Sequence, residues 1–115
     1  MTRLSATIAL VALYLTATAC LGQGVRVDAA RMVSAIYGAE GGARATYAYG
    51  IRSVKYSSVE DARRICLRSV QNNLARWHKA GEPGNFVSFM ATRYCPFEPD
   101  KTRWVKNVNY FYRKP

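Results

Sequence analysis

A chain of 115 residues has room for one domain, and its 17 Lys and Arg against 7 Asp and Glu leave it at +10 near neutral pH. Such a surplus asks for a polyanionic partner, but charge alone does not choose between nucleic acid, an anionic wall polymer and a membrane surface. A single histidine with no clustered carboxylates excludes a histidine-based metal centre, and no glycine-rich loop is present to cradle a nucleotide phosphate.

Arg3 is followed by an apolar run from Ala6 to Leu15 and then by small residues at Ala17, Thr18 and Ala19, the three regions of a secretory signal. The run is too short for an ordinary membrane span. Residues 1–24 are therefore read as a signal peptide, cut after Ala19 or Gly24, and residues 25–115 as a domain of roughly 90 residues. This predicts a periplasmic or secreted protein. Ala17-Thr18-Ala19-Cys20 loosely resembles a lipoprotein box, and a lipid anchor on Cys20 ranks below simple export. Without Cys20, Cys66 and Cys95 form an even pair in an oxidising compartment, where a disulfide is the default expectation. Closing that loop would contribute roughly 3 kcal/mol in the chain-entropy view; the alternative is two buried thiols that never meet. Export also turns the excess charge toward an anionic cell-envelope surface rather than nucleic acid, which is not expected as a partner.

In the exported part, Asp28 is placed to cap a first helix over Ala29–Glu40, with Met32, Val33, Ile36 and Tyr37 inward and Gly41-Gly42 as the stop. The segment from Ala43 to Ser57, with Tyr47, Tyr49 and Tyr56 and with Ile51 and Val54 around Gly50, reads as extended chain or a short hairpin. Ser57 and Ser58 before Glu60 and Asp61 form a capping signature for a long second helix ending near His78. Its inner stripe is Ala62, Ile65, Cys66, Ser69, Val70, Asn73 and Trp77, with Arg63, Arg64, Arg68 and Arg76 outward. Ala80 to Gly84 breaks the chain, and Asn85 caps a third helix with Phe86, Phe89, Met90 and Tyr94 inward. Cys95-Pro96 stops it. A turn through Pro99 and Asp100 leads to a fourth helix carrying Trp104, Val105, Val108 and Phe111 or Tyr112 on its buried side. The expected class is α+β, mainly α, with one small β-hairpin or extended wing, and no repeat or linker divides it.

Glu40 is the residue that ordinary helix design does not account for. At about 100° per residue it falls beside Val33, Ile36 and Tyr37 on the apolar stripe, in the last turn before Gly41. An apolar wall and the negative end of the helix dipole both disfavour its ionised form. A carboxylic acid kept protonated near neutral pH can protonate a leaving oxygen, as general acid catalysis of glycoside cleavage requires. The alternative is a helix-ending glutamate turned to solvent. A glycosidase ordinarily needs two carboxylates, yet Glu60, the next along the chain, is committed to a helix start. Either a distant residue such as Asp100 supplies the second, or the mechanism needs one alone. His78 beside Trp77 reads as exposed or partly packed, and bridged cysteines could not serve as a thiol nucleophile.

A helix ending in Glu40, a tyrosine-rich segment containing Tyr49-Gly50-Ile51-Arg52-Ser53, a long helix and a C-terminal Trp104-Val105-Lys106-Asn107-Val108-Asn109-Tyr110 together resemble the lysozyme-like superfamily, closest to the soluble lytic transglycosylases. The resemblance implies a small lysozyme-like helical domain with a β wing, a monomer that cleaves peptidoglycan glycan strands between N-acetylmuramic acid and N-acetylglucosamine. Glu40 matches the family's catalytic acid and base. Gly50-Ile51 is similar to the start of its Gly-Leu-Met-Gln element, with Arg52 and Ser53 standing where the family has Met and Gln. By the same resemblance Tyr110 would hydrogen-bond Glu40; plain core is its other reading. Neither a cofactor nor a metal is expected. Tyr47 and Tyr49 have faces suited to stacking on sugar rings or to packing the wing. Ser53 would bind an N-acetyl group or belong to a turn. Tyr94 would line the cleft or shield Cys95. A competing expectation is a non-catalytic cationic protein that binds wall or membrane through its Arg and Tyr surface.

Overall fold

The computed structural model describes residues 26–94 and 101–114; the predicted signal peptide with Cys20, and Cys95 with the turn that follows it, lie outside them. Among the described residues four α-helices carry the fold: α1 (Ala29–Ala39), α2 (Val59–Lys79), α3 (Phe86–Tyr94) and α4 (Thr102–Arg113). Each starts or stops within about two residues of the expected place, because the local signals act as read. The Asp28 carboxylate accepts from the Arg31 N–H at 3.2 Å. At the other end Gly41, at φ 108, turns the chain out of α1 in the left-handed conformation that glycine adopts without a Cβ clash. Ser58 Oγ accepts from Asp61 N–H at 3.0 Å, and Asp61 reaches back to Ser57 N–H at 3.0 Å, so α2 opens on a reciprocal cap. Asn85 Oδ1 accepts from Val87 and Ser88 to open α3. No described helix is long and apolar enough to cross a membrane.

The long helix α2 presents Ala62, Cys66, Val70, Asn73 and Trp77 to the core, one residue per turn on a single stripe. Helix α1 lies antiparallel to α4. At one end the Asp28 N–H donates to the Tyr112 hydroxyl at 3.0 Å, and at the other the Trp104 indole reaches Glu40. Between them Met32, Val33 and Ile36 meet Trp104 and Val108 in one apolar cluster that also takes in Val87 and Met90 of α3. The ring of Phe111 rests directly on Gly38, where an added Cβ would stand 2.7 Å from its Cδ1. Alanine ordinarily favours a helix interior by roughly 0.5–1 kcal/mol over glycine, but overpacking costs about 1–3 kcal/mol. Gly38→Ala should therefore destabilise the protein by about 1–2 kcal/mol, seen as a lower urea midpoint at unchanged m-value. A stabilising effect would mean that Phe111 does not sit there.

The wing differs from expectation. Among the described residues there is no strand, and the segment after α1 instead winds through two short 3-10 turns, Gly42–Arg44 and Ala48–Gly50, before running irregularly to α2. The reason is visible in the backbone: Tyr49 at φ 58 and Gly50 at φ 69 are consecutive left-handed residues, which a flat ladder does not accommodate. Its tyrosines act as pegs. Tyr56 hydroxyl accepts from Ala48 N–H at 2.9 Å, Tyr94 hydroxyl donates to the Tyr49 carbonyl, and the Tyr37 ring lies 5.0 Å from that of Tyr49. These contacts hold Tyr49 in a conformation that costs on the order of 1–3 kcal/mol for a non-glycine residue.

Candidate active site

Where α1 ends, the wound segment, α2 and the facing ends of α3 and α4 enclose a groove of about 590 Å³. That lies within the roughly 300–1,000 Å³ typical of a ligand cleft. Ala39 and Glu40 enter it from α1, Gly50, Ile51, Arg52 and Ser53 from the wound segment, and Ile65 and Ser69 from α2. Arg93 and Tyr94 come from α3, and Arg103, Trp104 and Asn107 from α4.

Glu40 is half-buried in this groove rather than turned to open solvent. Its backbone N–H still closes the helix on the Ile36 carbonyl at 3.0 Å, which fixes where the side chain leaves. The Trp104 indole N–H donates to Glu40 Oε1 at 2.7 Å, a charge-assisted length when the carboxylate is ionised. Trp104 is itself only 8% exposed and stacks on Tyr94, with ring centroids 5.5 Å apart. On the other side Gly50 is pressed against the carboxyl group: a Cβ at Gly50 would lie 2.5 Å from Glu40 Cδ. An indole donor, an aromatic stack and a glycine backbone thus hold one carboxyl group at the groove wall. Among the described residues lining the groove it is the single carboxylate.

The other expected site residues separate into two groups. Tyr47, 44% exposed at the rim with the Arg52 guanidinium 5.2 Å from its ring, Ser53 and Tyr94 all line the groove. Tyr49 does not. Its side chain is buried beside Tyr37, and its positive φ turns the ring inward, so its contribution is to shape the loop. Tyr110 also lies away from the groove, 59% exposed, edge-on to Phe111 and under the Lys114 ammonium. The contact to Glu40 expected of Tyr110 is made by Trp104, two turns earlier on α4.

Beneath the groove Cys66 is a buried free thiol where the sequence predicts a bridge to Cys95, which lies outside the described residues. Its Sγ is 3.4 Å from the Tyr94 hydroxyl. Burial pushes the thiol from 9.0 up to about 11, with the Tyr94 hydroxyl acting against the rise and the Glu40 charge adding to it. Burial likewise raises the hydroxyls of Tyr94 and Tyr49. Since the unfolded chain gives up the Cys66 proton first, stability is full below pH 9 and falls as pH rises toward 11. Between pH 9 and 10 this loss should be flattened in Cys66→Ala, measured by urea unfolding; equal slopes in both proteins would contradict it. In the native state the thiol should also resist alkylation at pH 8, because so little of it is thiolate.

Among the described residues no three of His, Cys, Asp and Glu come together to hold a metal ion. His78 is exposed and lies 3.1 Å from Glu82. Trp104, Arg93, Arg103 and Asn107 are among the groove residues that the sequence alone does not mark as part of a site. Trp104 was legible as an inward residue of α4, but its partner lies 64 positions away and no spacing rule joins them. Compared with protein-family models, curated proteins and solved structures, the chain shows no match.

Proposed function

We propose that the protein is an exported peptidoglycan-cleaving enzyme, a lytic transglycosylase or muramidase-like glycosidase, with Glu40 as general acid and then base. The observation that carries this is Glu40 itself: one carboxyl group, half-buried in a ligand-sized groove, clamped by Trp104 and Gly50. Glu40 is the one carboxylate among the described lining residues, and Asp100, the distant candidate for a second, lies outside the described residues. Two-carboxylate hydrolysis needs a partner on the opposite sugar face, whereas the course that needs one carboxylate is the transglycosylase one. In that course Glu40 protonates the glycosidic oxygen as the bond from C1 breaks. The C6 hydroxyl of the same muramic acid then bonds to C1 and returns its proton to the Glu40 carboxylate. The products are a free 4-hydroxyl and a 1,6-anhydro end, with the acid regenerated.

Mass analysis of the fragments released from purified cell-wall sacculi tests this. Anhydro ends, lighter by one water than hydrolysed ends, are the expected product. Hydrolysed ends would move the assignment to a muramidase, and no soluble fragments from folded protein would remove the enzymatic reading. The competing function, a non-catalytic cationic wall or membrane binder, draws on the exposed arginines along the outer face of α2. It predicts binding that collapses with salt and ignores Glu40.

A further inference from the structure

We propose that Arg52, Arg93 and Arg103 form a carboxylate-reading site in the groove, one that selects glycan strands with acidic substituents over neutral glycan. The inference deepens the glycan-cleft reading above and rests on it. The three residues come from separate parts of the chain: the loop leaving the second 3-10 turn, the last turn of α3 and the first turn of α4. All three are exposed at their surfaces and line the same groove.

Local helix chemistry accounts for one of them and not for another. A cation in the last turn of α3, as at Arg93, complements that helix's dipole. Arg103 lies in the first turn of α4, which holds no acidic residue, so the guanidinium adds to the positive end of the dipole rather than offsetting it. An anion in the groove would relieve that repulsion. Arg52 is braced by the Tyr47 ring at 5.2 Å. A guanidinium pairs with a planar carboxylate through two parallel hydrogen bonds, which gives orientation as well as attraction.

Glu40 decides between kinds of polyanion. A nucleic acid strand carries a phosphate on every unit and would set one beside Glu40, where the chemistry above needs an uncharged ring and its glycosidic oxygen. A glycan with an acidic group on alternate sugars can leave an uncharged ring there and set its carboxylates on the arginines. Tyr47, Ser53 and Asn107 offer the ring face, hydroxyl and amide that sugars use. In peptidoglycan the carboxylate has two sources, the lactyl group of muramic acid when its peptide is removed, and the peptide stem when it is not.

Equilibrium binding of the full chain separates these. The probes are a neutral chitin hexasaccharide, glycan strands stripped of peptides, stem-bearing strands and a single-stranded oligonucleotide. The groove variant R52Q/R93Q/R103Q is compared with R68Q/R76Q/K79Q, which removes the same charge from exposed positions on α2 outside the groove. The wild type should bind at least one acidic glycan tenfold or more tightly than chitin, and the α2 variant should keep that preference while the groove variant loses it. Arg103→Gln alone should show a smaller loss in the same direction. Whichever acidic strand carries the preference identifies the lactyl or the stem carboxylate. Equal binding of chitin, equal losses in both variants, or tighter binding of the oligonucleotide would overturn the site. Acidic-glycan preference without cleavage would support this site against the enzymatic reading, and cleavage without preference would do the reverse.

Discussion

Glu40→Gln is expected to lower the rate of glycan cleavage by about 10² to 10⁴, the range attached to a positioned general acid or base. The substitution isolates the proton. Glutamine keeps the volume beside Gly50, and its amide oxygen can still accept from the Trp104 indole, so the contacts that hold the side chain remain. Stability should change by less than about 1 kcal/mol, as for a substitution that creates neither a cavity nor a buried unpaired charge. A variant that folds as well as the wild type and retains a third of its activity would remove Glu40 from the chemistry. A variant that does not fold would be replaced by Glu40→Asp, which keeps the acid but withdraws it by one methylene and should also lose well over tenfold.

Gly50→Ala is expected to abolish activity for a different reason. At φ 69 the backbone of Gly50 is left-handed, which costs alanine about 1–2 kcal/mol, and the new methyl carbon would lie 2.5 Å from Glu40 Cδ. The carboxyl group must move, and a displacement of about 1 Å at a reacting group can cost 10²-fold in rate. Backbone strain is separable from this displacement. Gly81, at φ 85, has nothing within 4 Å of where its Cβ would go. Gly81→Ala should therefore lose comparable stability and keep its activity, whereas Gly50→Ala should lose both. Similar activity in the two variants would mean that the Gly50 contact does not position Glu40.

The four helices were legible because their signals are local. Asp28, Ser58 and Asn85 cap the helices they precede, and on the inner stripe of α2 Ala62, Cys66, Val70, Asn73 and Trp77 are buried as their spacing predicts, while Ile65 and Ser69 are half-buried and line the groove. Glu40 was legible as a carboxylate misplaced on an apolar face. The shape of the wing was not, because Tyr49 and Gly50 take left-handed conformations imposed by distant groups, above all the Tyr94 hydroxyl. Three tyrosines in a short segment suggest a strand by propensity, yet two of them, Tyr49 and Tyr56, secure a wound loop. Of the two readings open for Tyr49, stacking on sugar or packing its own segment, the fold takes the second, since its ring is buried beside Tyr37. The pairing of Trp104 with Glu40 depends on α1 and α4 running antiparallel, a tertiary fact with no local trace.

The most direct measurement is a crystal structure of the Glu40→Gln variant bound to a peptidoglycan tetrasaccharide. The glycan should occupy the groove between the wound segment and α4, with its scissile oxygen about 2.6–3.2 Å from the side-chain amide at position 40, or one water away. A sugar chain seated elsewhere, or one whose every glycosidic oxygen lies beyond that reach, would contradict a catalytic role for this residue.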